Sequence, residues 1–221
     1  MLPPALTKLS ENFKKFPGVG FRSSQKLALD VLSMKDEDFV ELINSISSVK
    51  QLVKFCGNCG FFAEKELCEI CSNSRRNDLQ ICLVEKATDV ISLERSEIYK
   101  GKYHVLQSLI SPLDNIFPEN TTLPDLLQRK IPNLLQNLDQ NPDTTGQAKQ
   151  PKMTKIELIL FFKAGFSAEA TTAYLKEAIV QNGWQNMVEI TRLAQGLPLY
   201  YNTDTLDQAT MIRALEDRRG V

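Results

Sequence analysis

Histidine is almost missing from this chain, neither sign of charge prevails, and nowhere do apolar residues run on for the length of a membrane span. Each absence narrows the function. His104 is the single imidazole, so chemistry that needs a pair of histidines is excluded. It stands in Tyr103-His104-Val105-Leu106, which reads as a strand, and a structural role is the default for it there. With 26 basic against 27 acidic side chains, any nucleic-acid site must be a local patch and not a global polybasic character. No Gly-x-x-x-x-Gly-Lys phosphate loop occurs. Met1-Leu2-Pro3-Pro4 passes straight to Lys8, Glu11, Lys14 and Lys15 with no apolar signal segment, so the expected location is the cytosol, where thiols stay reduced.

Against these absences stand five cysteines, four of them as Cys56-Gly-Asn-Cys59 and Cys68-Glu-Ile-Cys71. Two Cys-x-x-Cys pairs at this separation have ligand spacing for one tetrahedral zinc. Each pair wraps two thiolates around one face of the ion, and Gly60 to Leu67 folds back to close it. Disulfides or a redox dithiol are the rival reading, which the expected reducing location opposes. Four thiolates saturate zinc and leave no position for water or substrate, so such a metal folds the chain and does not catalyse. Cys82, in Ile81-Cys82-Leu83-Val84, reads as a small buried hydrophobe.

At 221 residues and 43% hydrophobic, the chain can bury one substantial core with smaller modules attached. The first stretch reads as helical. Leu6, Leu9, Phe13 and Phe16 recur at helical spacing, Pro17-Gly18-Val19-Gly20 breaks the helix, and Ser23 or Ser24 can cap a second one bearing Leu27, Val31 and Leu32. A third helix from about Asp36 carries Phe39, Leu42, Ile43, Ile46, Val49 and Val53 on one face. After the cysteines, strands alternate with helices. Ile81–Val84, Tyr103–Leu106, Leu158–Phe162 and Met187–Thr191 read as strands and Ser167–Gln181 as a helix, which predicts an α/β unit with a parallel sheet. From their place between the helical stretch and this unit, the four cysteines are expected to act as a joint. Residues 131–152, which include Gln140-Asn141-Pro142-Asp143-Thr144-Thr145-Gly146, read as a polar surface insertion, either a solvated linker or a functional loop.

The break between the first two helices also has a chemical reading. In Phe16-Pro17-Gly18-Val19-Gly20-Phe21-Arg22-Ser23 the glycines let backbone amides approach a phosphate, and the second helix offers its N-terminus. Arg22 and Lys26 add cations one turn apart, flanked by Lys14 and Lys15. This is the pattern of helix-hairpin-helix DNA-binding modules. A tight αα-corner that binds nothing would also produce it.

Taken together and in this order, the hairpin, the four cysteines, Ile81-Cys82-Leu83-Val84-Glu85 with Asp89-Val90, Tyr103-His104-Val105-Leu106 with Ile110-Ser111-Pro112-Leu113, and Thr191-Arg192-Leu193-Ala194-Gln195-Gly196-Leu197-Pro198 resemble the RecR family of bacterial recombination mediators. The resemblance runs from Leu2 to about Arg219. It implies a helix-hairpin-helix domain over 1–55, a four-cysteine zinc finger over 56–78, a Toprim parallel-sheet domain over 79–196 and a C-terminal helical arm over 197–221. Family members form dimers and ring-like tetramers that clamp DNA. They act in the cytoplasm at the nucleoid, with RecO and RecF, to load recombinase onto gapped DNA during recombinational repair. Arg22 and Lys26 occupy the cationic positions of the family's hairpin.

A Toprim domain raises the choice between enzyme and scaffold. Toprim enzymes hold Mg2+ with a Glu after the first strand and an Asp-x-Asp pair after a later one. Glu85 fits the first position, but Lys163 and Gly165 fall where the aspartates would be. The expected chain is therefore not an enzyme, and Glu85, Asp89 and Glu169 are expected to form the mouth of the sheet or a partner surface. The alternatives are a Mg2+-dependent Toprim enzyme and a protein-only adaptor. The chain departs from the family pattern at Lys163, Gly165 and Ser167, in a region associated with partner binding. It departs again at Leu199-Tyr200-Tyr201, where the family has glycines. The final helix, with Leu206, Ala209, Ile212 and Leu215 on one stripe and Arg213, Arg218 and Arg219 beside it, reads as a docking arm.

Overall fold

The computed structural model describes residues 2–140 and 155–193. These divide into two compact units, one ending at Val53 and the other beginning at Lys54. The expected C-terminal arm, the two tyrosines at 200–201 and the polar segment from 141 onward lie outside the described residues.

The first unit is helical: α1 (Pro4–Phe13), α2 (Phe21–Leu32) and α3 (Asp36–Leu52). Pro4 opens α1, where a missing N–H costs nothing and the fixed φ suits the first turn. Phe16 lies beyond the end of α1 and is exposed. Neither serine caps α2. Gly20 takes the N-cap position in an extended conformation with no side-chain bond, and Ser24 is turned inward. The Ser24 hydroxyl donates to the Phe21 carbonyl at 2.8 Å and accepts from the Ser10 hydroxyl at 3.1 Å. With Ala28 buried alongside, small side chains form the α1–α2 contact. Asp36, Glu37 and Asp38 in the first turn of α3 and Lys50 in its last turn match the helix dipole. The apolar stripe anticipated on α3 is present, but no residue of the helix is buried.

The second unit starts with an antiparallel pair, β1 (Lys54–Phe55) and β2 (Phe62–Ala63), followed by the short helix α4 (Glu69–Ser72). Then come β3 (Asn77–Val84), α5 (Ala87–Glu94) and β4 (Gly101–Val105). A helical run follows: α6 (Leu123–Asp125), a π turn over Leu126–Lys130 and α7 (Ile131–Gln140). The unit continues with β5 (Ile156–Phe161), α8 (Phe166–Gln181) and β6 (Val188–Arg192). The sheet is parallel throughout, in the order β4-β3-β5-β6, as the buried apolar runs predicted. Side chains alternate across it. Ile81 and Leu83 of β3 join Leu158 and Leu160 of β5, Leu126 and Ile131 of the helical run and Leu175 of α8 in one core. Cys82 and Val84 face the other way, into a second core with Tyr103, Val105, Val90 and the cysteines Cys56, Cys59 and Cys68.

Residues 131–140 correct the reading of a polar insertion over 131–152. They form α7, with Ile131 and Leu135 buried in the core. The stripe Leu123, Leu126, Leu127, Ile131, Leu134, Leu135 and Leu138 has helical spacing, but the polar residues that follow dilute its signal. Cys82 is buried as expected, and burial pushes its thiol up to about 12. His104 is structural: Thr122 Oγ1 donates to the Val105 carbonyl at 2.7 Å and so accepts from His104 Nε2 at 2.9 Å. That leaves Nδ1 as a buried bare acceptor. Burial, and then Lys130, lower its pKa to about 3.

Two outcomes follow from this packing. Ile131→Ala should cost about 2–5 kcal/mol in denaturant unfolding, whereas a solvated linker would show almost no change. His104 binds its proton less well folded than unfolded, so it makes stability rise with pH between about 3 and 6.5. Its slope is at most about 1.4 kcal/mol per pH unit. The difference in stability between wild type and His104→Gln should therefore shrink on acidification through that window. A pH-independent difference would contradict the buried neutral imidazole.

Candidate functional site

The four cysteines come together in the second unit. Their sulfurs all lie within 4.8 Å of one another, with Cys59 Sγ and Cys68 Sγ 3.6 Å apart. A tetrahedron with Zn–S bonds of about 2.3 Å has sulfur–sulfur edges of about 3.8 Å, so the set fits one zinc ion. Local backbone builds it. The Cys68 N–H donates to Cys56 Sγ at 3.3 Å, the Cys71 N–H to Cys68 Sγ at 3.4 Å, and Asn58 Nδ2 to Cys71 Sγ at 3.5 Å. Such donors favour thiolates. The sulfurs are electrostatically unequal. Hydrogen bonding to Cys68, then to Cys71, and burial push Cys59 far above the usual thiol range, while the hydrogen bond with Cys59 holds Cys68 well below it. Four thiolates cannot crowd together here without a cation, and a divalent ion supplies the charge that lets each proton leave.

The cysteine knuckle is also fastened to the sheet. The Val105 N–H, on the edge strand β4, donates to the Cys59 carbonyl at 2.8 Å. Gly60 follows at φ +73°, and a Cβ there would stand 3.1 Å from the Val105 carbonyl oxygen, so the close approach needs glycine. Lys102 Nζ donates to the carbonyls of Ile70, Cys71 and Asn73 at 2.9, 3.0 and 2.8 Å, which satisfies the end of α4. Arg129 donates to the Gly57 carbonyl at 2.7 Å while its guanidinium pairs with Asp125. Lys130, the neighbour of Arg129, is buried nearby and donates to the Tyr103 carbonyl. Sequence reading missed these three cations. Lys130 did leave a signal, since it falls on the apolar stripe of its helical run between Leu127 and Leu134.

At the hairpin, Gly18 adopts φ +81°, and space is open where a Cβ would sit at both Gly18 and Gly20. Arg22 and Lys26 lie four residues apart on α2, Arg22 exposed, and its first turn carries no acid. Lys14 and Lys15 are exposed in the turn, Lys15 donating to Asn12 at 2.9 Å. Among the described residues none of these four cations forms an ion pair with a carboxylate.

In the sheet, chain order reverses between β3 and β5, which makes their carboxyl ends the switch point where α/β sheets place ligands. Glu85 follows β3 there, half-buried and 3.9 Å from Lys86. The neighbouring strand, β5, is followed by exposed Lys163, Ala164 and Gly165. Asp89 caps α5 by accepting the Lys86 N–H at 2.8 Å, and Glu169 accepts from Arg192 at 2.7 and 3.2 Å. Among the described residues, the cysteines are the one group of three or more His, Cys, Asp or Glu side chains close enough to share an ion.

A helical hairpin unit, a four-cysteine knuckle and a parallel sheet with a carboxylate after its first strand define a zinc-finger Toprim protein. Family comparison agrees in sequence order: the RecR helix-hairpin-helix matches residues 6–50, the RecR four-cysteine zinc finger domain 53–73, and the Toprim domain 80–194, just over half of the chain. The chain belongs to the RecR family, whose domains are those of a DNA-binding recombination mediator. The four cysteines are the ligands of one structural zinc. No described helix is long and apolar enough to cross a membrane.

Zinc held this way stabilises the fold of the unit around it. Cys56→Ser and Cys71→Ser should each lower the melting temperature and the zinc content measured by metal analysis, with losses of several kcal/mol. Unchanged melting with zinc lost would separate the metal from the fold and contradict this.

Proposed function

We propose that this protein is a non-enzymatic mediator that clamps DNA through its hairpin and, with RecO- and RecF-type partners, helps load recombinase onto gapped DNA in the cytoplasm. The observation that carries the reading is the cation set around an open glycine turn, which among the described residues has no carboxylate partner. The amides of the Gly18–Gly20 turn and the uncapped start of α2 can approach a phosphate, and Arg22 and Lys26, then Lys14 and Lys15, add charge from the side. Contacts of this kind hold the backbone and read no sequence.

Assembly of several copies is supported by α3. Phe39, Ile43, Ile46 and Val49 form an apolar stripe in water. A second copy covering it would give the dimer or ring tetramer from which a clamp is built. Scaffold instead of enzyme is supported by the mouth of the sheet. Glu85 follows β3 while Lys163 and Gly165 follow the neighbouring β5, and one carboxylate does not hold the Mg2+ that Toprim chemistry uses. Asp89 and Glu169, bonded to α5 and to Arg192, then serve as a shaped acidic rim for a partner.

DNA binding should be sequence-independent and should weaken steeply with salt. Replacing Arg22 and Lys26 together by alanine should lower affinity at every ionic strength and flatten the log–log salt slope by about 2. Retention of wild-type affinity and slope by that double variant, in a titration followed by fluorescence anisotropy, would refute the hairpin as the DNA contact.

A further inference from the structure

Two lysines are buried where the cysteine knuckle meets the sheet: Lys102 is 5% exposed and Lys130 6%. A cation removed from water needs negative charge beside it. Lys102 spends its donors on three carbonyls and lies 3.5 Å from Asp78, whose side chain is largely in solvent. Lys130 donates to the Tyr103 carbonyl at 2.9 Å, and among the described residues no carboxylate forms an ion pair with it. Both line, with Asn58, Asp78 and Arg129, a cavity of about 100 Å³ against the knuckle. Asn58 is the residue that donates to Cys71 Sγ, and Arg129 is already neutralised by Asp125. Among the described residues, then, Lys130 has no carboxylate partner and Lys102 only solvated Asp78, and the knuckle that borders their cavity through Asn58 holds the four cysteines. Burial lowers the proton affinity of Lys130.

A zinc ion with four thiolates carries a net charge of two minus. We propose that Lys130 and Lys102 are the counter-charges of this centre, one lysine for each surplus negative charge. Zinc retention is then a property of the docked knuckle and sheet together. The ligands lie between Cys56 and Cys71, whereas the counter-charges come from β4 and from the turn before α7. Neither Cys-x-x-Cys pair contains them.

The test is zinc affinity of the full-length protein, measured by competition with a chromogenic chelator. Lys130→Met should weaken zinc about 10–100-fold, the range found when partners of metal ligands are lost. Lys130→Arg, which keeps the charge, should stay within a few-fold of wild type. Leu134→Ala, a neutral truncation in the same cavity, should lower the melting temperature and leave zinc affinity in place. Cys71→His reduces the charge of the centre to one minus, so Lys130→Met should cost less in that background than in wild type. Wild-type zinc affinity in Lys130→Met would overturn the proposal. So would an equal loss from Leu134→Ala, or a penalty of Lys130→Met that is undiminished beside Cys71→His. If Lys130→Met alone yields no soluble protein, the Cys71→His background should restore it, and failure to do so counts against the proposal.

Discussion

The second unit depends on closing one sheet edge with a structure too small to fold by itself. β4 is an edge strand, and an open edge invites pairing with another chain. The knuckle covers it: the Cys59 carbonyl takes the Val105 N–H, Gly60 lets the two backbones meet, and Lys102 ties α4 to the strand. A segment of this length cannot bury a core of its own, so zinc supplies its rigidity and the sheet supplies its packing surface. Cys56, Cys59 and Cys68 lie in the same apolar cluster as Val84 and Val105, which makes the metal centre part of the core of the α/β unit. Position in the chain suggested a joint between two domains. The packing is more specific, because the centre is built into the sheet-bearing unit that begins at Lys54.

Division of labour follows from the same layout. The hairpin unit presents cations and an apolar helix face and holds none of the zinc ligands. The sheet-bearing unit keeps a Toprim frame, with Glu85 after β3 and Lys163 and Gly165 after β5 at its switch point.

Much of this was legible in the residues, and for physical reasons. Strands buried on both faces leave unbroken apolar runs, so Ile81–Val84 and Leu158–Phe162 stood out. Cysteine spacing is set by metal geometry and survives in any fold, and the resemblance to the RecR family was borne out for the helix-hairpin-helix, the zinc finger and the Toprim domain. The losses were places where tertiary contact overrides local pattern. Ser24 looked like a cap because its hydroxyl is small and polar, yet those same properties let it sit between α1 and α2. α7 was hidden by the polar residues that follow it. Lys102 and Lys130 are charged residues in buried positions, and the carbonyls that accept from them come from distant segments.

The strand order also fixes a sequence of events during synthesis. Knuckle, β3 and β4 are contiguous from Lys54 to Val105, so zinc and the first strand pair can be in place as soon as that stretch leaves the ribosome. The other flank of β3 must wait, because Gln80 meets Glu157 across 77 residues. Until then β3 has β4 to pair with on one side and no partner on the other, so the order of strands along the chain decides which side is protected first.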